Sequence, residues 1–200
     1  MDGVMNVTLG QPVMTREEFF PWAEAQDERY EFDGFAPVAM TGGTIGHSDI
    51  SGNTRTALAL RLRGTGCRPL GPDAGVATVG DTVRYPDTLI TCAATSSRDR
   101  LVPGVVVVFE VLSPTSGYID RVIKLREYQA VPSIRRYVIL EYTAIGATVL
   151  ERATPDEPWS ATALASGDVL RIPEVGIELP LGELYENVDF FESGSGRAAP

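Results

Sequence analysis

Three residues in the middle of the chain have the types and spacing for phosphate chemistry. The apolar run VVVVFEV, Val105–Val111, carries one carboxylate, Glu110. Upstream, Asp87 follows Pro86 in VRYPDTLITC, and downstream stands Lys124, the single lysine of the protein. Two carboxylates on adjacent strands can share a hard divalent cation such as Mg²⁺, which prefers oxygen ligands and keeps several waters. A cation held in that way polarises a phosphoryl oxygen and acidifies a water, while a lysine orients that water or stabilises charge developing on the phosphate. The structural alternative stays open at this point: Glu110 ending a strand in solvent, Asp87 capping a turn, Lys124 on a solvated helix face.

The elements that must position these groups follow from periodicity. Val105–Val111 is the strongest strand signal; a period of two puts Val106, Val108 and Glu110 on one face and Val105, Val107, Phe109 and Val111 on the other. Glu110 falls at the C-terminal end, where strands of open α/β sheets face a crevice. Residues 83–92 read as one strand containing the Pro-Asp pair. A helix over 119–130, stopped by Pro132, places Arg121, Lys124 and Tyr128 near one stripe. Residues 136–142 form a further buried strand, completing a βαβ-like unit over 105–142.

Around that unit, Thr15-Arg-Glu-Glu18 has the pattern of a capping box, opening a helix with Phe19, Trp22 and Ala23 on one face. Residues 29–41 read as two short strands about an Asp33-Gly34 turn. Residues 47–62 read as a helix with Ile50, Leu58 and Leu62 on its apolar face. Strands are expected within 67–79, and four more strand-like pieces follow residue 148. Residues 1–13 are a leader, 191–200 a disordered tail, and 14–190 one domain of α/β (α+β) class.

The chain has 200 residues and a formal net charge of −10, and sixteen of its seventeen basic residues are Arg. That balance argues against a protein that coats nucleic acid, although a local basic groove on an acidic body remains open. Cys67 and Cys92 lack metal-ligand spacing and read as reduced, buried thiols of a cytoplasmic protein. No apolar run is long enough to span a membrane, and the N-terminus does not have the pattern of a signal peptide.

YPDTLI, FEVLSPTS and the spacing D-x-x-x-K-x-x-x-Y (Asp120, Lys124, Tyr128) resemble the Uma-two endonuclease family. RYEFDG, the helix opening with His47, GPDAGV at 71–76, VPSIRRYVIL and the late segment GDVLRIPEVGIELPLGELY agree with it, so the resemblance covers roughly 14–190. It implies a restriction-endonuclease-like fold of the PD-(D/E)XK superfamily: a mixed β-sheet flanked by helices, with additional antiparallel strands in the N- and C-terminal parts. The implied activity is Mg²⁺- or Mn²⁺-dependent phosphodiester hydrolysis in nucleic acid, DNA in the first instance, by a homodimer. By that resemblance Asp87 and Glu110 are the metal-binding carboxylates and Lys124 is a relocated catalytic lysine, since Leu112 stands where the superfamily usually has Lys. Glu31 of RYEFDG is a further candidate carboxylate. A nuclease-fold dimer that binds nucleic acid or a protein without cutting is the alternative.

His47, the lone histidine, either touches substrate phosphate or has a structural or N-cap role. Arg55, Arg61 and Arg63 either contact phosphates or form a solvated helix face. Asp73 is a turn residue, and Ser113 and Thr115 are turn and capping groups rather than nucleophiles.

Overall fold

The computed structural model describes residues 14–40, 42–113 and 117–190. The expected leader and tail, and Thr115, lie outside the described residues.

Thr15 opens the first helix, α1 (Arg16–Glu24), through the full capping box: its hydroxyl accepts from the Glu18 N–H, and the Glu18 carboxylate accepts from the Thr15 N–H. β1 (Tyr30–Phe32) and β2 (Pro37–Ala39) form the hairpin expected about Asp33-Gly34. α2 (Ile45–Leu62) begins two residues before His47 because Thr44, not His47, supplies the N-cap oxygen. Then come β3 (Arg68–Leu70), β4 (Val76–Ala77), β5 (Val83–Arg84), β6 (Thr88–Thr91) and β7 (Val105–Val111). The expected strand over 83–92 is therefore two strands. Pro86 has no N–H to continue a ladder, and the chain passes there from one sheet to another.

A π-helical turn (Ile119–Lys124) runs directly into α3 (Leu125–Gln129), followed by β8 (Arg136–Leu140). β9 (Gly146–Glu151), β10 (Ser160–Ala165), β11 (Val169–Ile172) and β12 (Ile177–Pro180) complete the strands, and a 3₁₀ turn (Leu181–Tyr185) ends the described fold. The main sheet has the order β10-β9-β8-β7-β6-β3. Only β7 and β8 are parallel in it, joined by the π-turn and α3 as a crossover. A four-stranded sheet, β2-β1-β5-β4, and the β11–β12 hairpin flank it.

The main sheet is covered on both faces. Ile50, Ala57, Leu58 and Leu62 of α2 pack with Val107, Phe109 and Val111. Tyr128 and Ile134 pack with Val108 and Leu112 on the other face. The alternation of β7 departs from strict period two at its start. Val105 joins the Val108 cluster and Val106 packs against the other, because a bulge opposite Ile90 and Thr91 inserts one residue.

The two cysteines are neither reduced nor buried. Cys67 and Cys92 form a disulfide, with Cys67 half-buried and Cys92 exposed. β3 pairs with β6 so that Arg68 faces Thr91; one residue further along, the cysteines face each other across that edge of the sheet. No helix among the described residues is long and apolar enough to cross a membrane.

Candidate active site

Glu110 lies on the β7 face covered by the π-turn and α3, and it is 4% exposed. Its Oε1 accepts two hydrogen bonds, from Lys124 Nζ at 2.9 Å and from the Tyr128 hydroxyl at 2.9 Å. The lysine amine also lies 3.2 Å from Asp120 Oδ1 and 3.8 Å from Glu31 Oε1. A short helix thus delivers a cation to three carboxylates from separate elements. Burial raises the Glu110 carboxyl well above its usual range, and Asp87, Asp120 and Glu31 add to this, against the opposing pull of Lys124. Burial alone would discharge Lys124, yet Glu110, Glu31 and Asp120 outweigh it and hold the amine protonated.

The π-turn decides which residues share that stripe. Its wider turn keeps Asp120 over Lys124 and directs Arg121 away, where Arg121 pairs with Glu141. The expected Arg121–Lys124–Tyr128 stripe is accordingly an Asp120–Lys124–Tyr128 stripe. Asp120 is 2% exposed, and its Oδ1 makes no hydrogen bond of good geometry despite the nearby ammonium.

Asp87 arrives from the antiparallel neighbour. Thr88 pairs with Phe109, so one residue further Asp87 stands beside Glu110. Its Oδ2 accepts from the Val111 N–H at 2.7 Å and lies 3.2 Å from His47 Nε2. His47 projects from the first turn of α2, its ring packed so closely over Gly43 that a Cβ there would collide with it. The hydrogen bond to Asp87 raises the His47 pKa, with burial opposing. Neither reading of His47 made from the sequence alone included this contact.

Glu31 is fixed from β5. Its Oε1 accepts from the Tyr85 N–H at 3.0 Å and its Oε2 from Arg84 Nη1 at 3.1 Å. Arg84 in turn grips Glu127 of α3 through two hydrogen bonds of 2.7 Å. Burial works against the charge on Arg84, but Glu127 and Glu31 more than restore it. The buried Arg84 thereby ties the small sheet to α3, and so sets Glu31 against Lys124.

Asp87, Glu110, Lys124 and Glu31, all chosen from sequence, line one cleft of about 320 Å³ together with His47 and Asp120. Asp73 lies outside it and pairs with Arg29, and Arg61 is taken by a bidentate pair with Glu183. Asp120 was visible in the D-x-x-x-K spacing but carried no role; Arg84 had no signal at all, because its partners come from β1 and α3.

The side chains that could hold a divalent cation are Asp87 and Glu110. Each commits one oxygen to protein donors, while Glu110 Oε2 and Asp87 Oδ1 accept nothing from the described residues. Glu31, Asp87, Glu110 and Asp120 also outnumber the cations among them, and a further positive charge relieves that imbalance. Among the described residues no group of three or more His, Cys, Asp or Glu side chains is arranged to hold a metal ion. The fit is to an open site whose remaining ligands are waters or substrate oxygens.

An uncharacterized protein of Synechocystis sp. is 28% identical over 185 residues, covering 90% of this chain and 95% of its own. The crystal structure of "a putative nuclease belonging to DUF820" from Anabaena variabilis superposes with a TM-score of 0.66 at 12% identity. It covers 86% of this chain and 97% of that one, and it shows the shared fold. The model of the Uma2 family, described as "Putative restriction endonuclease", matches residues 16–182. The match takes in every element around the cleft, from α1 to the β11–β12 hairpin, and the chain belongs to the Uma2 family.

Proposed function

We propose that the protein is a Mg²⁺- or Mn²⁺-dependent nuclease that hydrolyses phosphodiester bonds in nucleic acid, DNA in the first instance. The observation that carries this reading is the convergence of Lys124 Nζ on Glu110 Oε1 at 2.9 Å, with Asp87 in the facing strand position. Asp87 and Glu110 would hold the cation through their uncommitted oxygens. When bound, it supplies Lewis-acid polarisation of the phosphate and lowers the pKa of a water.

The chain's own groups supply the rest. Lys124 stays protonated, so its role is that of a donor and positive charge beside the reacting phosphate, not of a general base. Tyr128 fixes Glu110 from the far side, leaving one carboxylate oxygen directed by two hydrogen bonds. Glu31 and Asp120 hold the ammonium in place, and His47 with the Val111 N–H orients Asp87. A homodimer formed by residues 14–190 belongs to the same reading. Its support is the exposed apolar side chains of Phe35, Ile45 and Leu60, and light scattering tests it.

The deciding assay is cleavage of mixed DNA and RNA with Mg²⁺ or Mn²⁺, against EDTA, for wild type, Glu110→Ala and Lys124→Ala. Metal-dependent cutting lost in Glu110→Ala and strongly reduced in Lys124→Ala is expected. Cutting that persists unchanged in Glu110→Ala refutes the assignment. Metal binding without cutting favours the non-cleaving alternative.

A further inference from the structure

The carboxylate cleft opens into a longer groove. A space of about 870 Å³ runs from Asp87 and His47 past Ser51 and Gly52 to Arg55. A second, of about 300 Å³, continues from Arg55 to Arg68 and Thr95. His47, Ser51 and Arg55 are spaced by four along α2 and share one face of it. Arg55 lies about 12 Å along the helix axis from His47, at 1.5 Å per residue.

Arg55 is distinctive in this acidic chain. It is exposed, and no carboxylate or other partner engages its guanidinium among the described residues. Its neighbours are occupied: Arg29 by Asp73 and Arg61 by Glu183. The Arg55 Nη1 lies over residue 71, where glycine leaves room that a Cβ would fill. The acids along the groove are already partnered. Glu28 accepts from the Tyr30 hydroxyl, Asp73 pairs with Arg29, and Asp99 accepts from the Ser96 N–H. Beyond the carboxylate cleft, Arg29, Arg55 and Arg68 stand against Glu28, Asp73 and Asp99, so the groove is balanced in charge; Arg29 is held by Asp73 and Arg68 by the Thr95 hydroxyl, which leaves Arg55 as the guanidinium open to a phosphate among the described residues.

We infer that this groove carries the phosphodiester backbone of a nucleic acid away from the catalytic centre, with Arg55, and Arg68 beyond it, contacting phosphates other than the scissile one. The inference rests on the nuclease reading for which phosphate is cut, but binding along the groove is measurable without cleavage. Phosphate contacts of this kind position the strand and carry no sequence information.

The test is fluorescence anisotropy in EDTA with a fluorescein-labelled mixed-sequence oligonucleotide, single-stranded and duplex, across a salt titration. Hydrolysis of bis(p-nitrophenyl) phosphate with Mn²⁺ runs in parallel. Arg55→Ala is expected to weaken oligonucleotide binding several-fold. It should lower the slope of log affinity against log salt by about 0.7 for a single strand or about 0.9 for a duplex. The arm with the larger loss identifies the strand form. Arg55→Lys should restore the slope, and Gly71→Ala, which displaces the guanidinium but keeps its charge, should weaken binding while leaving the fold intact. Hydrolysis of the small diester should not change in any of them. An unchanged slope in Arg55→Ala, no oligonucleotide binding by wild type, or equal losses on the small diester each overturn the inference. Arg55-dependent binding with no cleavage by wild type leaves the groove standing and refutes the nuclease reading alone.

Discussion

Replacing Lys124 by Met keeps the length of the side chain and deletes its charge, and the structure predicts a penalty that depends on pH. The ammonium is 11% exposed and faces Glu110, Asp120 and Glu31, whose side chains are 5%, 3% and 10% exposed. Removing one partner of a buried ion pair costs about 3–5 kcal/mol, because the other charge stays buried without compensation. At roughly 2–4 °C per kcal/mol for a chain of this size, the melting temperature should fall by about 10 °C. The carboxylates can escape by taking up a proton. Glu110 is already pushed up to about 8, and deleting Lys124 removes the main influence holding it down. Between the unfolded value and this raised one the folded chain binds more protons than the unfolded chain, so its stability falls as pH rises. The gap between wild type and Lys124→Met should therefore be small near about pH 6 and widest near about pH 9. Mg²⁺ should narrow it at the higher pH, because the variant's carboxylates, no longer facing an ammonium, bind the cation more tightly than those of wild type. Thermal unfolding in EDTA and in Mg²⁺ at both pH values measures all of this. A gap of the same size at both pH values would show that Lys124 is not the counter-charge of the buried carboxylates, and the reasoning would fail.

Three further outcomes follow from the same contacts. Tyr128→Phe removes a buried hydroxyl donor to Glu110; urea denaturation should show a loss of about 2 kcal/mol, in line with hydrogen bonds to charged groups, and cleavage should fall less than in Glu110→Ala. Arg84→Met leaves Glu31 and Glu127 facing each other without their cation and should cost about 3–5 kcal/mol, part of which Arg84→Met/Glu127→Met recovers; equal stability of the single and double variants would contradict the pairing. Reducing the Cys67–Cys92 disulfide, which closes a separation of 25 residues, should cost about 3 kcal/mol from chain entropy, read as a drop in melting temperature with dithiothreitol that Cys67→Ser/Cys92→Ser no longer shows.

What was legible in the sequence was local. The capping box at Thr15–Glu18, the helix that carries Lys124 and the buried strand that carries Glu110 are each decided by a few neighbouring residues. What was not legible depended on partners distant in the chain. The cysteines look unrelated until β3 lies against β6 in the register that sets them face to face. The bulge at Val106 exists only in relation to Ile90 and Thr91. His47 meets Asp87 because α2 and the start of β6 end at the same cleft, and no spacing along the chain encodes that. The choice of Asp120 over Arg121 rests on a single π-turn, a change in helix pitch that periodicity does not resolve.

The position of Leu112 explains why the cation comes from a helix. Two residues after Glu110, Leu112 is 4% exposed and packs with Val108, Tyr128 and Tyr137. An ammonium carried on that side chain would sit in an apolar cluster and need partners the cluster does not have. Carried from the π-turn, it reaches the same carboxylate with its head among Glu110, Asp120 and Glu31. The helix is itself anchored: the Tyr137 hydroxyl donates to the Asp120 carbonyl at 3.0 Å, and Arg84 holds Glu127 one turn beyond Lys124. The apolar filling of the strand position and the charged filling of the helix position are thus one arrangement. Restoring a lysine at 112 in a Lys124→Met background should not restore the stability lost at about pH 9, because position 112, although on the same face as Glu110, lies in the apolar cluster with Val108 and Tyr137 and does not line the carboxylate cleft.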